Sequence, residues 1–205
     1  MSDVNMQGKT VLVTGGTGGI GYETAKALAA KKATVLLVGR NPVKTDSTVN
    51  ALKAETRNQN IHGMLADLSC QADIRKLVDE IKANYTQLNV LINNAGAMFW
   101  TREETVDGIE RTFALNHLNY FLLTNLLLDL LKEAPAARII NVSSGAHMGG
   151  DIKFDDLGFE DRYWPFPPYS QSKLANVLFT YELARRLSET KITVNALTPG
   201  FVRSK

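Results

Sequence analysis

Short apolar runs rich in β-branched residues alternate with helical patterns along this chain. The apolar runs predict six strands, at Thr10–Val13, Thr34–Val38, Ile61–Leu65, Val90–Asn93, Arg138–Val142 and Ile192–Leu197. Helical patterns lie between them, near residues 20–31, 43–57, 70–84, 103–132 and 169–188. This alternation predicts an α/β fold with a doubly wound parallel sheet, helices on both faces and a ligand crevice at the carboxyl ends of the strands.

The segment from Met148 to Pro168 departs from this alternation. It contains paired glycines, three prolines and many aromatic residues, and therefore predicts a long loop between a strand and a helix. Loops of this length in compact domains are usually functional or disordered.

Composition narrows the class of protein. The chain has 205 residues, of which 44% are hydrophobic and 21% charged, so we expect a single globular domain spanning residues 1–205. A net charge of +2 without a basic block gives no indication of nucleic-acid binding. The single Cys70 excludes an intrachain disulfide and fits a reducing compartment. Polar residues interrupt the most apolar stretch, Leu118–Leu131, and the N-terminus lacks a signal-peptide pattern, so we expect a cytoplasmic protein without a membrane span.

A glycine-rich loop, Thr14-Gly-Gly-Thr-Gly-Gly-Ile-Gly21, follows the first predicted strand and opens a helix. Glycines let the backbone turn sharply and approach a pyrophosphate, while the helix start offers N–H groups and the positive end of its dipole. The structural alternative is a tight strand–helix turn. The strand before the loop, the helix after it and the strand behind that favour a nucleotide-binding site.

The end of the second predicted strand indicates which nucleotide binds. NAD sites usually place a carboxylate there to hold the ribose hydroxyls, but this strand ends in Val38-Gly39-Arg40-Asn41. Arg40 could instead pair with a 2′-phosphate through its planar fork, so we expect NADP(H) in preference to NAD(H). The alternative is a solvated surface arginine.

Two tyrosine–lysine pairs have the i, i+4 spacing that places both side chains on one helical face. Tyr169 and Lys173 could act in acid–base chemistry, because a nearby cation lowers the pKa of a phenol. Tyr22 and Lys26 have the same spacing but lie directly behind the glycine loop, where we expect Tyr22 to pack and Lys26 to be solvated.

Ser143 and Ser144 follow the fifth predicted strand, at the edge where the crevice is expected. A serine at this position could donate a hydrogen bond to a carbonyl oxygen that gains charge in a transition state. The alternative is that both serines bind local backbone.

Together these residues resemble the classical short-chain dehydrogenase/reductase family, over essentially the whole chain. The resemblance is carried by Thr14-Gly-x-x-x-Gly19-x-Gly21, Asp67, Asn93-Asn94-Ala95-Gly96, Asn116, Ser144, Tyr169-x-x-x-Lys173 and Pro199-Gly200. It implies a Rossmann fold and an NADP-dependent oxidoreductase that transfers hydride between nicotinamide and a carbonyl or alcohol substrate.

The resemblance also implies individual roles. Tyr169 would exchange the proton, Ser144 would polarise the substrate oxygen, Lys173 would lower the pKa of Tyr169 and bind the nicotinamide ribose, and Asn116 would hold a water that links Lys173 to solvent. Together with Arg40, which follows the second predicted strand, the residues expected to contact the cofactor are Gly15, Thr17, Gly19, Ile20, Gly21, Arg40, Asp67, Leu68, Asn94, Ala95, Gly96, Tyr169, Lys173, Pro199, Gly200 and Val202. No metal is expected, because the histidines lack ligand partners at useful spacing.

Within the family, the 25 positions from Ser144 to Tyr169 and the Tyr-x-x-Ser-Lys-Leu-Ala-Asn176 segment are similar to the retinol dehydrogenase and WW-domain oxidoreductase group. This likeness implies a small apolar carbonyl or alcohol substrate, and a homodimer or homotetramer. Aromatic and apolar residues after strand ends and in the long loop could line its pocket. Taken singly, packing in the core or anchoring of the loop is the favoured alternative for each of them: Met98, Phe99, Trp100, His147, Tyr163, Trp164 and Phe166.

The chain differs from the family at its end. Family members normally continue beyond the Pro-Gly motif, whereas this chain stops at Lys205, so we expect the family's last strand and lid to be missing and the domain to be C-terminally incomplete. A non-catalytic NADP-binding module or an inactive fragment are the alternative functions.

Overall fold

A computed structural model describes residues 4–200 and contains a six-stranded sheet in which every neighbouring pair is parallel. The strands are β1 (Thr10–Thr14), β2 (Thr34–Gly39), β3 (Ile61–Leu65), β4 (Val90–Asn93), β5 (Ala137–Val142) and β6 (Ile192–Leu197). Their order across the sheet is β3-β2-β1-β4-β5-β6. The predicted strands and the doubly wound topology are confirmed, and the direction of winding reverses between β1 and β4.

Helices cover both faces of this sheet. They are α1 (Gly19–Ala30), α2 (Pro42–Thr56), α3 (Gln71–Asn84), α4 (Arg111–Phe113), α5 (Asn119–Leu126), α6 (Leu128–Glu133) and α7 (Phe166–Arg186), with a π turn at Ala114–Leu118 and a 3₁₀ turn at Gly145–Gly149. Leu12 of β1 joins one apolar cluster with α3, α5, α6 and α7, whereas Val11 and Val13 join another with α1 and α2. Because successive strand residues point to opposite faces, this sheet is buried on both sides.

The helix predicted over residues 103–132 begins later and is interrupted. Residues 103–110 form a turn in which Gly108 has φ +71° and Glu104 bridges to Glu110. The Glu110 carboxylate accepts hydrogen bonds from the N–H groups of Thr112 (2.7 Å) and Phe113 (2.8 Å), so it caps the helix that starts at Arg111. This capping signal was missed because helical periodicity alone does not locate a helix start.

Helix α7 begins three residues earlier than predicted. Pro167 and Pro168 lie in its first turn, where a missing N–H costs no hydrogen bond, so they start the helix rather than exclude it. The segment before it, residues 150–165, contains no helix or strand and confirms the predicted long loop at a shorter length.

The topology brings the candidate residues to one edge. The glycine loop follows β1, Asn94–Gly96 follow β4 and Ser143–Ser144 follow β5, all at the carboxyl ends of parallel neighbours. Among residues 4–200, no helix combines the length and hydropathy needed to cross a bilayer. The same residues include no group of three or more His, Cys, Asp or Glu side chains placed to hold a metal ion.

Candidate active site

The glycine loop adopts backbone conformations and close approaches that exclude side chains. Gly15 and Gly19 have φ of +64° and +51°, in the left-handed region. A Cβ on Gly15 would lie 2.9 Å from the Cα of Ala95, and one on Gly21 would lie 2.3 Å from the Gly15 carbonyl oxygen. The first turn of α1 has no side-chain cap and no acidic residue, so its N–H groups suit an anion such as a pyrophosphate.

Thr14 joins the glycine loop to the segment after β4. Its buried hydroxyl oxygen accepts hydrogen bonds from the N–H groups of Asn94 (2.8 Å) and Ala95 (3.0 Å), and its carbonyl accepts one from the Asn94 amide (2.8 Å). Thr14 was predicted only as part of the motif. Its position at the end of a strand gave no sign that its side chain would connect the segments after β1 and β4.

Directly after β2, the exposed Arg40 lies next to an acidic residue. Its Nη1 lies 3.7 Å from the Asp67 carboxylate, and its side chain is 63% exposed. Burial acts to raise the pKa of Asp67, but hydrogen bonds from Ser69 and the positive charge of Arg40 outweigh burial and lower it. The side chain of Leu68 packs in the apolar core and is 5% exposed.

Lys44 is a further cation at this place that the sequence argument missed. Its Nζ lies 3.6 Å from the position that a Cβ on Gly18 would occupy, at the start of α1. The available signal was its position in the first turn of α2, after the Asn41 cap. Thr17 also lies here, since a Cβ on Gly39 would lie 2.6 Å from the Thr17 methyl carbon.

Lys173 is a buried cation. Its residue is 4% exposed, and its ammonium donates a hydrogen bond to the Val142 carbonyl (3.1 Å) at the end of β5. Burial lowers the pKa of Lys173 to about 8. The ammonium lies 5.6 Å from the Tyr169 ring centre and 5.8 Å from that of the fully buried Tyr120.

The two serines after β5 differ in what they bind. Ser143 is buried and donates from Oγ to the Lys173 carbonyl (2.8 Å), so it matches the structural alternative and ties α7 to β5. The half-buried Ser144 accepts a 3.3 Å hydrogen bond from the Ala146 N–H at the start of the 3₁₀ turn. That bond uses the oxygen as acceptor and leaves the Ser144 hydrogen available to a substrate oxygen.

Asn116 lies fully buried in the π turn, where a regular helix was predicted. Its side-chain oxygen accepts from the Ala97 N–H (2.8 Å), and its amide donates to the Ala97 carbonyl (2.9 Å) and to Ser172 Oγ (3.0 Å). A Cβ on Gly96 would lie 3.0 Å from the Asn116 side-chain oxygen and 3.4 Å from Lys173 Nζ. The Asn116 side chain therefore holds the Gly96–Ala97 backbone over the lysine.

The remaining residues predicted to contact the cofactor lie at the start of α1 and α7 and after β4 and β6. Tyr169 is half-buried in the first turns of α7, and Gly96 leaves space beside the ammonium. Pro199 and Gly200 follow β6, Gly200 with φ +74°, whereas Val202 lies outside the described residues. Ile20 is partly exposed at the start of α1.

The long loop contributes anchors as well as exposed apolar groups. The Tyr163 hydroxyl donates to the Phe99 carbonyl (2.9 Å) and lies 3.2 Å from Thr112 Oγ1, so this residue anchors the loop. Trp100 and Trp164, one residue beyond the anchored pair, are 79% and 60% exposed.

This chain is similar to known proteins in sequence and in fold. A family model described as short chain dehydrogenase matches residues 9–205. Retinol dehydrogenase 12 of Bos taurus is 46% identical over 204 residues, covering 100% of this chain but 65% of that protein, so the chain spans less than two thirds of its length. A solved structure of an uncharacterized protein from Mycobacterium Paratuberculosis has a TM-score of 0.86 at 38% identity, over 96% of this chain and 70% of that one. The Pseudomonas aeruginosa RhlG/NADP active-site complex has a TM-score of 0.81 at 28% identity, over 98% and 75%.

Proposed function

Because the chain belongs to the short-chain dehydrogenase family, we propose that it forms the catalytic part of an oxidoreductase that interconverts a carbonyl and an alcohol. One observation carries this proposal. The half-buried Tyr169 lies one helical turn before the buried Lys173. Among the described residues, the Lys173 ammonium contacts a backbone carbonyl oxygen and two aromatic rings, and no carboxylate. Such an ammonium is available to stabilise a phenolate.

The chain's own residues divide the work at the substrate oxygen. Tyr169 donates a proton to that oxygen in reduction and accepts it in oxidation, and Lys173 stabilises the phenolate left behind. Ser144 donates a hydrogen bond to the same oxygen as it gains charge. Asn116 keeps the backbone over Lys173 in place through its two bonds to Ala97. Bound nicotinamide would supply the hydride in reduction or accept it in oxidation.

Removal of the Tyr169 hydroxyl tests this function. Tyr169→Phe should lower turnover of a carbonyl panel with NADPH by about 10²- to 10⁴-fold, because the proton donor is lost. Cofactor affinity, followed by the fluorescence of the reduced nicotinamide, should stay close to that of the unmodified protein. Tyr22→Phe is the matched control and should keep full turnover. Retained turnover in Tyr169→Phe would overturn the mechanism, and absence of turnover in a longer chain would favour a non-catalytic binding module.

We also propose that the cofactor is NADP(H) in preference to NAD(H). Arg40 ends β2 where a ribose-binding carboxylate would stand, and Lys44 lies close to the loop at Gly18. Two cations at this place suit a 2′-phosphate, which the exposed Arg40 would bind in place of Asp67. The similar Pseudomonas aeruginosa structure is a complex with NADP.

The 2′-phosphate itself provides the probe. Calorimetric titration with 2′,5′-ADP and with 5′-ADP should show preference for the former, and Arg40→Ala should reduce that preference by about tenfold or more. Arg57→Ala, at the C-terminal cap of α2, is the control, because it removes the same charge as Arg40→Ala. An unchanged preference in Arg40→Ala would show that Arg40 does not bind the phosphate.

The substrate that we propose is a small apolar aldehyde, ketone or alcohol. Exposed apolar side chains of the long loop and its neighbour, including Trp100, Met148, Trp164 and Phe166, offer such a surface. The similar Bos taurus protein is named a retinol dehydrogenase, which is consistent with an apolar alcohol. A panel that compares kcat/KM for apolar and polar aldehydes of similar size tests this class, and a preference for the polar substrates would contradict it.

We further propose a homodimer or homotetramer. Phe121 on α5 and Leu178 and Tyr181 on α7 are at least half exposed. The Phe121 and Phe179 rings contact each other across the two helices at a tilt, with ring centres 5.5 Å apart. A shared apolar face of this kind favours association. Sedimentation of the protein and of a Phe121→Asp variant tests the proposal, and a monomer in both would contradict it.

A further inference from the structure

Side-chain amides bind the backbone carbonyls of the π turn that contains Asn116. The Asn119 amide donates to the Leu115 carbonyl, and the Asn176 amide, from α7, donates to the Asn116 carbonyl at 2.8 Å. Asn176 is fully buried, and it lies three residues after Lys173 on the same helix. One face of α7 therefore carries both the ammonium and a bond to the turn that faces it.

His117 fixes the orientation of this amide. The Asn176 side-chain oxygen lies 3.0 Å from His117 Nδ1, and because that oxygen can only accept, the hydrogen is on Nδ1. The imidazole ring lies between Phe113 (5.2 Å between ring centres) and Phe179 (6.2 Å), and burial lowers the pKa of His117, which keeps the ring neutral. The amide nitrogen of Asn176 is thereby held toward Asn116.

We propose that Asn176, oriented by His117, is a positioning residue for the reaction. It touches no reacting atom. It holds the π turn in place, so that the Asn116 side chain keeps its two bonds to Ala97 and the Gly96–Ala97 backbone stays over Lys173. The inference rests on the proposed oxidoreductase function, and its first test below is independent of activity.

Asn176→Leu removes the donor to Asn116 and the acceptor for His117, and keeps the branched shape of the side chain. In the ligand-free protein, we expect faster hydrogen–deuterium exchange in peptides covering residues 111–126, because the turn loses its tie to α7. We expect kcat/KM to fall roughly 10- to 100-fold, since small displacements of catalytic groups have effects of this size. The alkaline limb of the kcat/KM profile should move to higher pH by about one unit, because water reaches Lys173 and its pKa returns toward the ordinary value.

Thr180→Val is the matched control. Thr180 is buried one turn further along α7 and also makes buried hydrogen bonds, accepting from Asn141 (2.9 Å) and donating to the Asn176 carbonyl (2.7 Å). It has no contact with the π turn among the hydrogen bonds of the described residues. We expect Thr180→Val to lower the melting temperature while exchange at residues 111–126 and the pH profile stay unchanged.

His117→Phe keeps the aromatic stack and removes the bond to Asn176. We expect a smaller change in the same direction as for Asn176→Leu, and a double variant no worse than Asn176→Leu, since the two residues act through one amide. This variant also provides the test if Asn176→Leu does not fold.

Two outcomes would overturn the proposal. One is unchanged exchange at residues 111–126 in both variants. The other is an Asn176→Leu protein whose pH profile matches Thr180→Val, because its role would then be structural only. Increased exchange together with no turnover even in the unmodified protein would instead reject the oxidoreductase function and leave the role of Asn176 in the turn intact.

Discussion

The two tyrosine–lysine pairs share a spacing and differ in almost everything around them. Tyr22 and Lys26 lie on α1, and both bind the Glu55 carboxylate on α2, the hydroxyl at 2.8 Å and the ammonium at 2.5 Å. The hydrogen bond with Glu55 raises the pKa of both groups. Here the cation is neutralised by the carboxylate, and the phenol is held in its protonated form.

The pair on α7 has the opposite arrangement. Lys173 is buried against the Val142 carbonyl, and burial lowers its pKa to about 8. Tyr169 lies one turn before it and half exposed at the crevice. Spacing places two side chains on one face, but the third group decides the chemistry. A carboxylate makes the first pair a surface contact, whereas its absence from the second leaves an ammonium that can stabilise a phenolate.

Replacement of the two lysines should give the largest difference between the pairs. Lys173→Met should reduce turnover by about 10²- to 10⁴-fold, because Tyr169 loses the cation that stabilises its phenolate. Lys26→Met, its matched control, should keep turnover, since exposed ion pairs contribute little. Steady-state rates with NADPH measure both. Equal losses in the two variants would show that the comparison does not identify the catalytic pair.

A methyl group at position 96 would crowd the polar atoms beside Lys173. A Cβ on Gly96 would lie 3.0 Å from the Asn116 side-chain oxygen and 3.4 Å from Lys173 Nζ. Gly96→Ala should therefore weaken cofactor binding and turnover by about tenfold, as expected for overpacking. Gly149→Ala is the control, since a Cβ there meets nothing within 4 Å. Unchanged nucleotide binding in Gly96→Ala would place the cofactor elsewhere.

Much of this comparison could be predicted from the sequence. The order of strands and helices, the glycine loop and the Tyr169–Lys173 pair followed from periodicity, composition and family resemblance, because those signals are local. The passive nature of Tyr22 and Lys26 was expected from their place behind the loop. Their partner was not, because Glu55 lies 33 residues from Tyr22 and comes near only when α1 and α2 pack.

The contacts that were missed join residues that lie far apart in the sequence. Asn176 reaches Asn116 across 60 positions, and Thr14 reaches Asn94 across 80. The π turn was predicted as ordinary helix, since a single extra residue per turn leaves little trace in a periodic pattern. Contacts of this kind depend on the packing of helices against the sheet, which local patterns do not specify.

The pH dependence of the free energy of unfolding should also differ between the two lysines, and this effect should be smaller than the effects on turnover. Unfolded Lys173 keeps its proton up to about pH 10.4, whereas in the folded protein it loses it above about 8. Between those values the unfolded state binds more protons, so stability rises with pH across this window. Below pH 8 the buried cation therefore destabilises the fold by about 3 kcal/mol, at about 1.4 kcal/mol per pH unit of the lowered pKa.

Lys173→Met should therefore melt higher than the unmodified protein at pH 7, by an amount that shrinks as pH rises toward 10. Calorimetric scans at several pH values measure the difference. Lys26→Met should show no gain at pH 7, because the exposed ammonium suffers little desolvation and loses a partner. A melting temperature of Lys173→Met that is lower at every pH would show that the lysine is stabilised, not penalised, in its site.

The smallest effect is expected from Glu55→Gln, which makes the first pair resemble the second by removal of its carboxylate. The pKa of Tyr22 should fall toward its ordinary value near 10, because the hydrogen bond to Glu55 is the main cause of its elevation. Ultraviolet titration of the phenolate, taken as the difference from Tyr22→Phe, measures the shift. Turnover should stay unchanged and the melting temperature should move by no more than about 2 °C, since exposed pairs contribute little. Loss of turnover in Glu55→Gln would mean that the contact between α1 and α2 affects the glycine loop. The Glu55 carboxylate would then be required for function, and would do more than form an ion pair with Lys26.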